Sequence, residues 1–500
     1  MVEAKRHLNS RTPVSQLPPE LLDLIFLEIK HEYLDILESH EGFFFPFDSV
    51  GSELWNNEIC HVCHQWREIA LANAKLWTRV VSSPTNNEWT QEMLIRSRNQ
   101  LLITIIEKRL DSDTSDTSIA GRCDLLRQLS RCHTLSMRFG SFEELYEVWP
   151  SKLVAPKLDH LVVCVDPPLN SKAPFILSDS LLEATSLRRL EVRYCGMNWK
   201  SRFLNGLTHL GLDLLSVESQ LTCPEFIKAL AAMPSLQELC LYYGGVLDDD
   251  GSANPGIPPT SDVAHPTWQS LEVTDDLVNT ARFLGHISLA PTCRIHFTSC
   301  ETLAESELPL QSILRWIQNH FKQSADGPSQ LTPRNVIRSF RFNELQGYLS
   351  LLGYNEVLRD EEPRNDEALF GITFLTLLFE ELTPYSRANG SFFLKCLPLD
   401  CIVVLYLCLP SFCLSSSTWA TTLGTIPTLE TIQLHVGEPM SFFQALLPSD
   451  QTDVPFRALE SLSLLASMTL TAEENHDLSC ILDQRQKCQM PIRLFHVMTL

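Results

Sequence analysis

The chain has 500 residues, of which 44% are hydrophobic and 20% are charged. At roughly 150 residues per domain, this length accommodates about three compact domains or one long repeat array. The composition excludes a wholly disordered chain, a collagen and a small disulfide scaffold. Lys and Arg number 39 against 61 Asp and Glu, so the net charge is −22. Because an acidic chain repels phosphate backbones, we expect no nucleic-acid partner.

Targeting and membrane signals are weak. Residues 1–16 have no apolar segment behind their basic residues, so we expect no secretory signal. The most apolar run, residues 401–414, is too short to cross a bilayer and is interrupted by Pro410. We therefore expect an intracellular protein, cytoplasmic or nuclear, with no membrane partner. Its 16 cysteines are then expected to be thiols rather than disulfides.

A first helix is predicted to begin at Pro18 and Pro19, which suit the first helical turn because the N–H groups there lack intrahelical partners. Lys30 lies near its expected end, as the helix dipole favours. The spacing predicts one apolar face formed by Leu21, Leu22, Ile25, Phe26 and Ile29.

A second helix is predicted over residues 58–74, with Asn56 or Asn57 as its N-cap. An aromatic-rich connection, residues 42–55, separates the two helices. The apolar face of the second helix is predicted to comprise Ile59, Val62, Cys63, Trp66, Ile69 and Ala70.

From about residue 100, short apolar segments recur with the pattern L-x-x-L-x-L. Clear copies begin at Leu158, Leu187, Leu207, Leu236, Leu429 and Leu459, with a looser copy at Trp268. Each copy is expected to give a short strand and a helical return, as at residues 180–184, 224–233 and 441–447, and the spacing is close to the roughly 20–29 residues of leucine-rich repeats. Weaker strands are predicted at residues 101–105, 135–137, 295–297, 337–342 and 402–404. Periodicity is poor between residues 298 and 397, where a mixed domain is the alternative to further repeats.

Polar, Pro- and Gly-rich segments predict loops that leave the repeats near residues 247–263 and 324–333, with similar segments at 111–118 and 360–367.

Residues 17–77 resemble an F-box. The family pattern, LPxEll-x-IF followed by VCxxWRxIA and xLW, is carried by Leu17, Pro18, Glu20, Leu21, Leu22, Ile25, Phe26, Val62, Cys63, Trp66, Arg67, Ile69, Ala70, Leu76 and Trp77. The spacer at residues 30–57 is longer than in compact F-boxes. Long spacers are common in fungal F-box proteins with leucine-rich repeats, which the chain also resembles at residues 89–106 and 131–137.

This resemblance implies an α/β chain that begins with an all-α F-box of about three helices and continues as a curved leucine-rich-repeat solenoid of strand-helix units. The implied domains are an F-box at 13–82, connecting helix-strand units at 83–137 and degenerate repeats at 138–500. The implied function is substrate recognition in an SCF-type cullin-RING E3 ubiquitin ligase. The F-box would bind a Skp-family adaptor, and through it a cullin and a RING protein, and the repeats would bind a protein substrate. The chain itself would not be an enzyme.

The residues expected to contact the adaptor are Leu17, Pro18, Leu21, Leu22, Ile25, Val62, Cys63, Trp66 and Ile69. They provide more apolar surface than a small three-helix unit can bury alone, so a partner helix would complete their core. The alternative is that the repeats cover this face. A second alternative for the whole chain is an interaction or scaffold protein without a role in ubiquitylation.

Catalytic signatures are missing from the sequence: it contains no phosphate-binding glycine loop, no nucleophile elbow and no H-E-x-x-H. Residues 60–64 spell C-x-x-C-H, which can attach haem or bind a metal. Haem attachment needs export, and zinc needs a second ligand pair, so an ordinary helical segment is the favoured interpretation. We expect no metal and no cofactor. An enzyme formed by the insertions remains a third, less favoured hypothesis.

The repeat face opposite the leucines is the candidate for substrate binding, since alternate side chains of a strand point to opposite sides. The candidate substrate-binding residues on this face are Arg189, Glu191, Arg193, His209, Asp213, Tyr242, Gln433 and His435. The alternative is a solvated sheet face without a ligand.

Overall fold

The computed structural model of the protein describes residues 13–40, 54–82, 87–107, 117–149, 154–166, 175–177, 184–213, 221–243, 263–265, 267–290, 292–299, 307–325, 337–345, 348–354, 357, 375–379, 394, 397, 399–409, 414–436, 439–447, 454–465 and 471–498. The chain divides into two units, Met1–Leu221 with Ala232–Leu236, and Thr222–Ala231 with Gln237–Leu500. The division falls inside the segment 138–500, for which the sequence predicts a single repeat domain.

The first unit opens with helices and continues as alternating helices and strands. Its α-helices are α1 (Pro19–His40), α2 (Leu54–Val62), α3 (His64–Ala72), α4 (Asn87–Arg96), α5 (Thr117–Leu126) and α6 (Phe142–Val148). Short 3-10 helices lie at Pro13–Gln16, Ala74–Trp77, Leu129–Arg131 and Arg202–Gly206. Its strands are β1 (Arg79–Val81), β2 (Leu102–Glu107), β3 (Cys132–Phe139), β4 (His160–Val165), β5 (Ile176–Leu177), β6 (Arg189–Arg193), β7 (Gly196–Met197) and β8 (His209–Asp213).

The two N-terminal helices differ from their predictions. Helix α1 continues ten residues past Lys30, to His40. The predicted second helix is two helices, broken at Cys63 (φ −155°, ψ 171°), whose Sγ accepts a hydrogen bond from the Trp66 amide at 3.5 Å and so caps α3. Asn56 and Asn57 lie within α2, so neither is the predicted cap.

The strands of the first unit are parallel. β1, β2, β3, β4, β6 and β8 pair in that order, and β5 pairs with β7 in a separate parallel ribbon. Leu161, Leu190 and Leu210 stand side by side in register and are fully buried. Along each strand, the residues that alternate with these leucines point to the other side of the sheet. The L-x-x-L-x-L pattern therefore predicts the strands and the burial of their leucines correctly, whereas residues on the other side such as Glu191 and His209 are also buried.

The second unit repeats this alternation. Its helices are α7 (Cys223–Ala231), α8 (Leu277–Gly285), α9 (Glu307–Ala325), α10 (Ser416–Thr422), α11 (Pro439–Ala445) and α12 (Ala472–Lys487). Its strands are β9 (Glu238–Tyr242), β10 (Val263–His265), β11 (Ser270–Thr274), β12 (Ile287–Leu289), β13 (Arg294–Ser299), β14 (Ser339–Leu345), β15 (Tyr348–Tyr354), β16 (Leu375–Phe379), β17 (Val404–Leu409), β18 (Thr431–Val436), β19 (Ser461–Leu465) and β20 (Leu494–Met498).

The sheet of the second unit departs from a regular parallel array at one place. Its strand order is β9, β11, β13, β16, β15, β14, β17, β18, β19, β20, with β10 and β12 paired separately. β15 is antiparallel to both of its neighbours, whereas the other pairings of this sheet among the described residues are parallel. A Cβ at Gly353 of β15 would lie 3.0 Å from Ile337 Cδ1 and 3.2 Å from Leu375 Cβ, so this tight packing suits glycine. The hairpin β14–β15 lies within residues 298–397, where the sequence shows poor periodicity.

Side-chain caps fix several helix starts. Asp276 accepts a hydrogen bond from the Asn279 amide at 2.6 Å before α8. Thr471 and Glu474 form a reciprocal capping box before α12. Acceptors at these positions satisfy first-turn N–H groups that would otherwise lack partners.

The other local predictions have mixed outcomes. The weaker strands at 101–105, 135–137, 295–297 and 337–342 overlap β2, β3, β13 and β14, whereas the one at 402–404 meets β17 only at Val404. The helical returns at 224–233 and 441–447 form α7 and α11. The return at 180–184 and the loops near 247–263, 324–333, 111–118 and 360–367 lie wholly or largely outside the described residues. Among the helices described, none has the length and apolarity that a membrane crossing requires.

Candidate functional site: an exposed apolar stripe on the first helix

Helix α1 has two apolar sides with different surroundings. Leu22 and Phe26 are fully buried. Leu21, Leu24, Ile25 and Ile29, here called the apolar stripe, are 46%, 62%, 41% and 38% exposed. At 100° per residue the stripe and the buried pair occupy neighbouring sectors of the helix, with Ile29 only about 20° from Leu22. The residues predicted from the sequence to form one apolar face do lie on adjoining sectors of α1, but the structure buries only Leu22 and Phe26 and leaves Leu21, Ile25 and Ile29 exposed.

The core side fixes α1 against the helix that follows. The Phe26 ring lies 5.1 Å from the Trp66 ring of α3, and the Trp77 indole donates to the Ala70 carbonyl at 2.8 Å. These aromatic groups make α1, α3 and the turn after α3 one packed cluster.

Polar contacts at the edge of this cluster fix the rotation of α1. Lys30 is buried, and its ammonium donates to the Lys75 carbonyl at 2.7 Å and to Thr78 Oγ1 at 2.6 Å. Burial, aided by the nearby Arg79 charge, lowers the pKa of Lys30 to about 8. Asn73 donates to Asp23 Oδ1 at 2.5 Å. Because α1 is held on both sides of Phe26, the apolar stripe is presented in a fixed orientation.

The predicted adaptor-binding residues occupy three environments. Pro18, Leu21, Ile25 and Val62 are exposed, Leu17, Cys63, Trp66 and Ile69 are half-buried, and Leu22 is in the core. Leu22 therefore packs in the core and does not lie on the exposed side of α1. The prediction omitted Leu24 and Ile29, although their spacing from Leu21 and Ile25 is the signal that identifies them.

The C-x-x-C-H segment lies at the junction of α2 and α3. Cys60 is buried, and burial raises the pKa of its thiol. Cys63 serves as the cap of α3, and His64 Nδ1 contacts Glu68 Oε2 at 3.2 Å on the surface. Within the described part of the chain, no three His, Cys, Asp or Glu side chains are grouped so that they could hold a metal.

A second candidate surface is the polar side of the first unit's sheet. Arg193 contacts Asp213 at 3.1 Å and Asp166 at 3.7 Å, and Arg138 contacts Asp166 at 3.0 Å, so two arginines and two aspartates form a chain across β3 to β8. Burial raises the pKa of Asp213 to about 6, although the Arg193 guanidinium opposes the shift.

The remaining predicted substrate residues are less accessible than the sequence suggests. In the first unit, Glu191 and His209 are buried, whereas Arg189 is exposed. Glu191 Oε1 lies 2.9 Å from His160 Nε2. In the second unit, Tyr242, Gln433 and His435 are half-buried. Tyr242 donates to Glu272 at 2.5 Å, and His435 Nδ1 lies 3.4 Å from Cys408 Sγ. Side chains on these sheets bind one another, which is why a polar residue opposite a leucine need not be exposed.

No protein-family model matches this chain, and no curated protein is similar enough to match it.

Proposed function

We propose that this protein is the substrate-recognition subunit of an SCF-type cullin-RING E3 ubiquitin ligase. Its N-terminal helices would bind a Skp-family adaptor, which connects to a cullin and a RING protein, and its sheets would bind a protein substrate. The proposal rests on the F-box pattern of residues 17–77 together with one structural observation, the exposed apolar stripe of α1.

The apolar stripe supports a protein partner because large aliphatic side chains are exposed on a helix whose other side is already packed. Leu21, Leu24, Ile25 and Ile29 recur at the spacing by which one helix presents anchors to another, and exposed Val62 on α2 adds to the apolar surface of these helices. Contiguous apolar surface of this kind marks an interaction site rather than an ordinary solvated face. An adaptor helix is the occupant that we propose.

The remainder of the chain supports the repeat part of the proposal. Strands and helices alternate, most strand pairs are parallel, and the leucines of the L-x-x-L-x-L segments are buried. We infer degenerate leucine-rich repeats, whose stacked strands leave a continuous side for a partner. Arg189 and the Arg138–Asp166–Arg193–Asp213 chain give that side in the first unit a mixed charge, which suits a polar protein substrate.

In the proposed function this chain supplies no bond-making group. It would hold the substrate near the conjugating enzyme that carries ubiquitin, which raises the effective concentration of the substrate at that enzyme. The reaction itself would belong to the RING protein and the conjugating enzyme.

Co-expression with a Skp-family adaptor, followed by size-exclusion chromatography, tests the adaptor half of the proposal. We expect a one-to-one complex that elutes together, and a chain that elutes alone would contradict the proposal. Addition of the cullin and RING subunits then tests the ligase half. Ubiquitin transfer to a co-purifying protein supports it, whereas a stable assembly without transfer would favour the scaffold hypothesis.

A further inference from the structure

Several described cysteines are buried where a thiol is protected. Burial raises the pKa of Cys132 to about 11 and the pKa values of Cys164 and Cys293 to about 12. Burial also raises the pKa of Cys195 well above the ordinary value of a thiol. The thiolate is the nucleophilic form, so burial disfavours reaction of these four side chains at neutral pH.

Cys408 lies in a different environment. It is half-buried on β17, directly in register with His435 on β18, and its Sγ lies 3.4 Å from His435 Nδ1. The neighbours Leu407 and Leu434 are buried, so Cys408 and His435 are on the side of the sheet away from that core. Paired strands hold both backbones, and the contact is therefore set by the register of the sheet.

We propose that Cys408 is a modification site for soft electrophiles, with His435 as the base that accepts its proton. With an alkyl halide, the sulfur forms a bond to carbon, the carbon–halogen bond breaks, and the halide leaves with the electron pair. The thiol proton passes to His435 Nδ1 and from there to water. A thiol beside an imidazole is the arrangement by which proteins activate a cysteine nucleophile.

Two observations agree with this assignment. Partial burial lowers the pKa of His435, which favours the neutral form of its ring, the form that can accept a proton. A comparable contact among the described residues, between Cys480 and His476, is longer at 3.8 Å and joins two exposed side chains of α12. Water competes for that contact, so Cys480 and exposed Cys401 serve as reference thiols.

The test is the rate of iodoacetamide alkylation at each cysteine of the full chain, followed by peptide mass spectrometry at pH 7. In the wild-type protein, Cys408 is expected to react faster in the native state than in urea, where the contact with His435 is lost. Burial without activation predicts the reverse order, and that result would overturn the proposal. This comparison needs no variant.

His435→Gln provides the second arm. It keeps a polar side chain of similar size but removes the base, so we expect alkylation of Cys408 to slow by about fivefold or more. The rates at Cys401 and Cys480 should stay unchanged, and far-ultraviolet circular dichroism should show the wild-type fold. An unchanged rate at Cys408 in the folded variant would contradict the assignment of His435.

Discussion

The Phe26 ring of α1 packs against the Trp66 indole of α3, with centroids 5.1 Å apart and ring planes at 59°. Phe26 lies on the sector of the helix next to the apolar stripe, where it is fully buried. This contact makes the orientation of Leu21 and Ile25 depend on a residue pair that would not itself touch a partner. Because Trp66 is half-buried and also belongs to the predicted adaptor face, its replacement would alter both the core and the docking side.

Phe26→Ala is expected to destabilise the N-terminal helices by about 3–5 kcal/mol, because a fully buried aromatic ring leaves a cavity. Amide hydrogen exchange in α1 and α3 is the measurement, since it reports on this region separately from the rest of the chain. Leu24→Ala, at an exposed position of the same helix, is the matched control and should change protection by about 0.5 kcal/mol or less. Equal effects of the two variants would argue against the described core.

Lys30 should make the stability of the first unit depend on pH. Its pKa is lowered from 10.5 to about 8 in the folded protein. Between these values the unfolded chain binds more protons than the folded chain, so this group raises the free energy of unfolding as the pH rises from about 8 to about 10.5. Below pH 8 the Lys30 ammonium is charged in both the folded and the unfolded chain, so its burial lowers the free energy of unfolding by an amount that does not change with pH.

Urea unfolding of wild type and Lys30→Met, followed by tryptophan fluorescence, tests this pH dependence. The variant loses the hydrogen bonds to Lys75 and Thr78 at every pH, so a constant difference is expected below pH 8. Above pH 8, the free energy of unfolding of wild type should rise relative to that of Lys30→Met. A difference that stays constant up to pH 10.5 would show that Lys30 is not buried as described.

Arg485 of α12 is fully buried and binds three carbonyl groups of the chain around it. It donates to Leu446, Pro455 and Phe456 at 3.1, 2.8 and 2.7 Å. Phe456 has φ of 56°, in the left-handed region that non-glycine residues rarely adopt, and its carbonyl is one of those held. Arg485→Met should destabilise the C-terminal part of the second unit by about 1–3 kcal/mol, because these buried acceptors lose their donor.

Arg493→Met is the matched control for Arg485→Met. Arg493 lies 3.7 Å from Glu460 with both side chains exposed, so its removal should cost about 0–1 kcal/mol. Hydrogen exchange in α12 and β19 compares the two variants. If Arg485→Met lowered the protection of these amides no more than Arg493→Met does, the role assigned to the buried guanidinium would be wrong.

The strands were the most predictable part of this fold because their signal is local. Leu158, Leu187 and Leu207 each begin a segment whose alternation alone identifies the strand and the side on which its leucines are buried. The reversed direction of β15 could not be predicted in this way. An antiparallel hairpin has the same alternation as a parallel strand, and its direction is set by pairing with β14 and β16.

The candidate site was predicted in composition but not in arrangement. Leu21 and Leu22 both fit a broad apolar face, and only packing against Trp66 and the turn after α3 determines which one is covered. Cys63 was predicted within a continuous helix. Its extended backbone and its bond to the Trp66 amide end α2 instead, and helix propensities contain no signal for such a break.

The central claim is that the apolar stripe binds a Skp-family adaptor, and isothermal titration of the purified adaptor into the full chain tests it most directly. Replacing both Leu21 and Ile25 with Ser should cost about 2 kcal/mol of binding free energy, or roughly 30-fold in affinity, since each side chain is only partly exposed before binding. Ile95→Ser with Leu308→Ser, at exposed positions outside the stripe, should leave the affinity unchanged. If wild type fails to bind the adaptor, or the two double variants bind alike, the claim is contradicted.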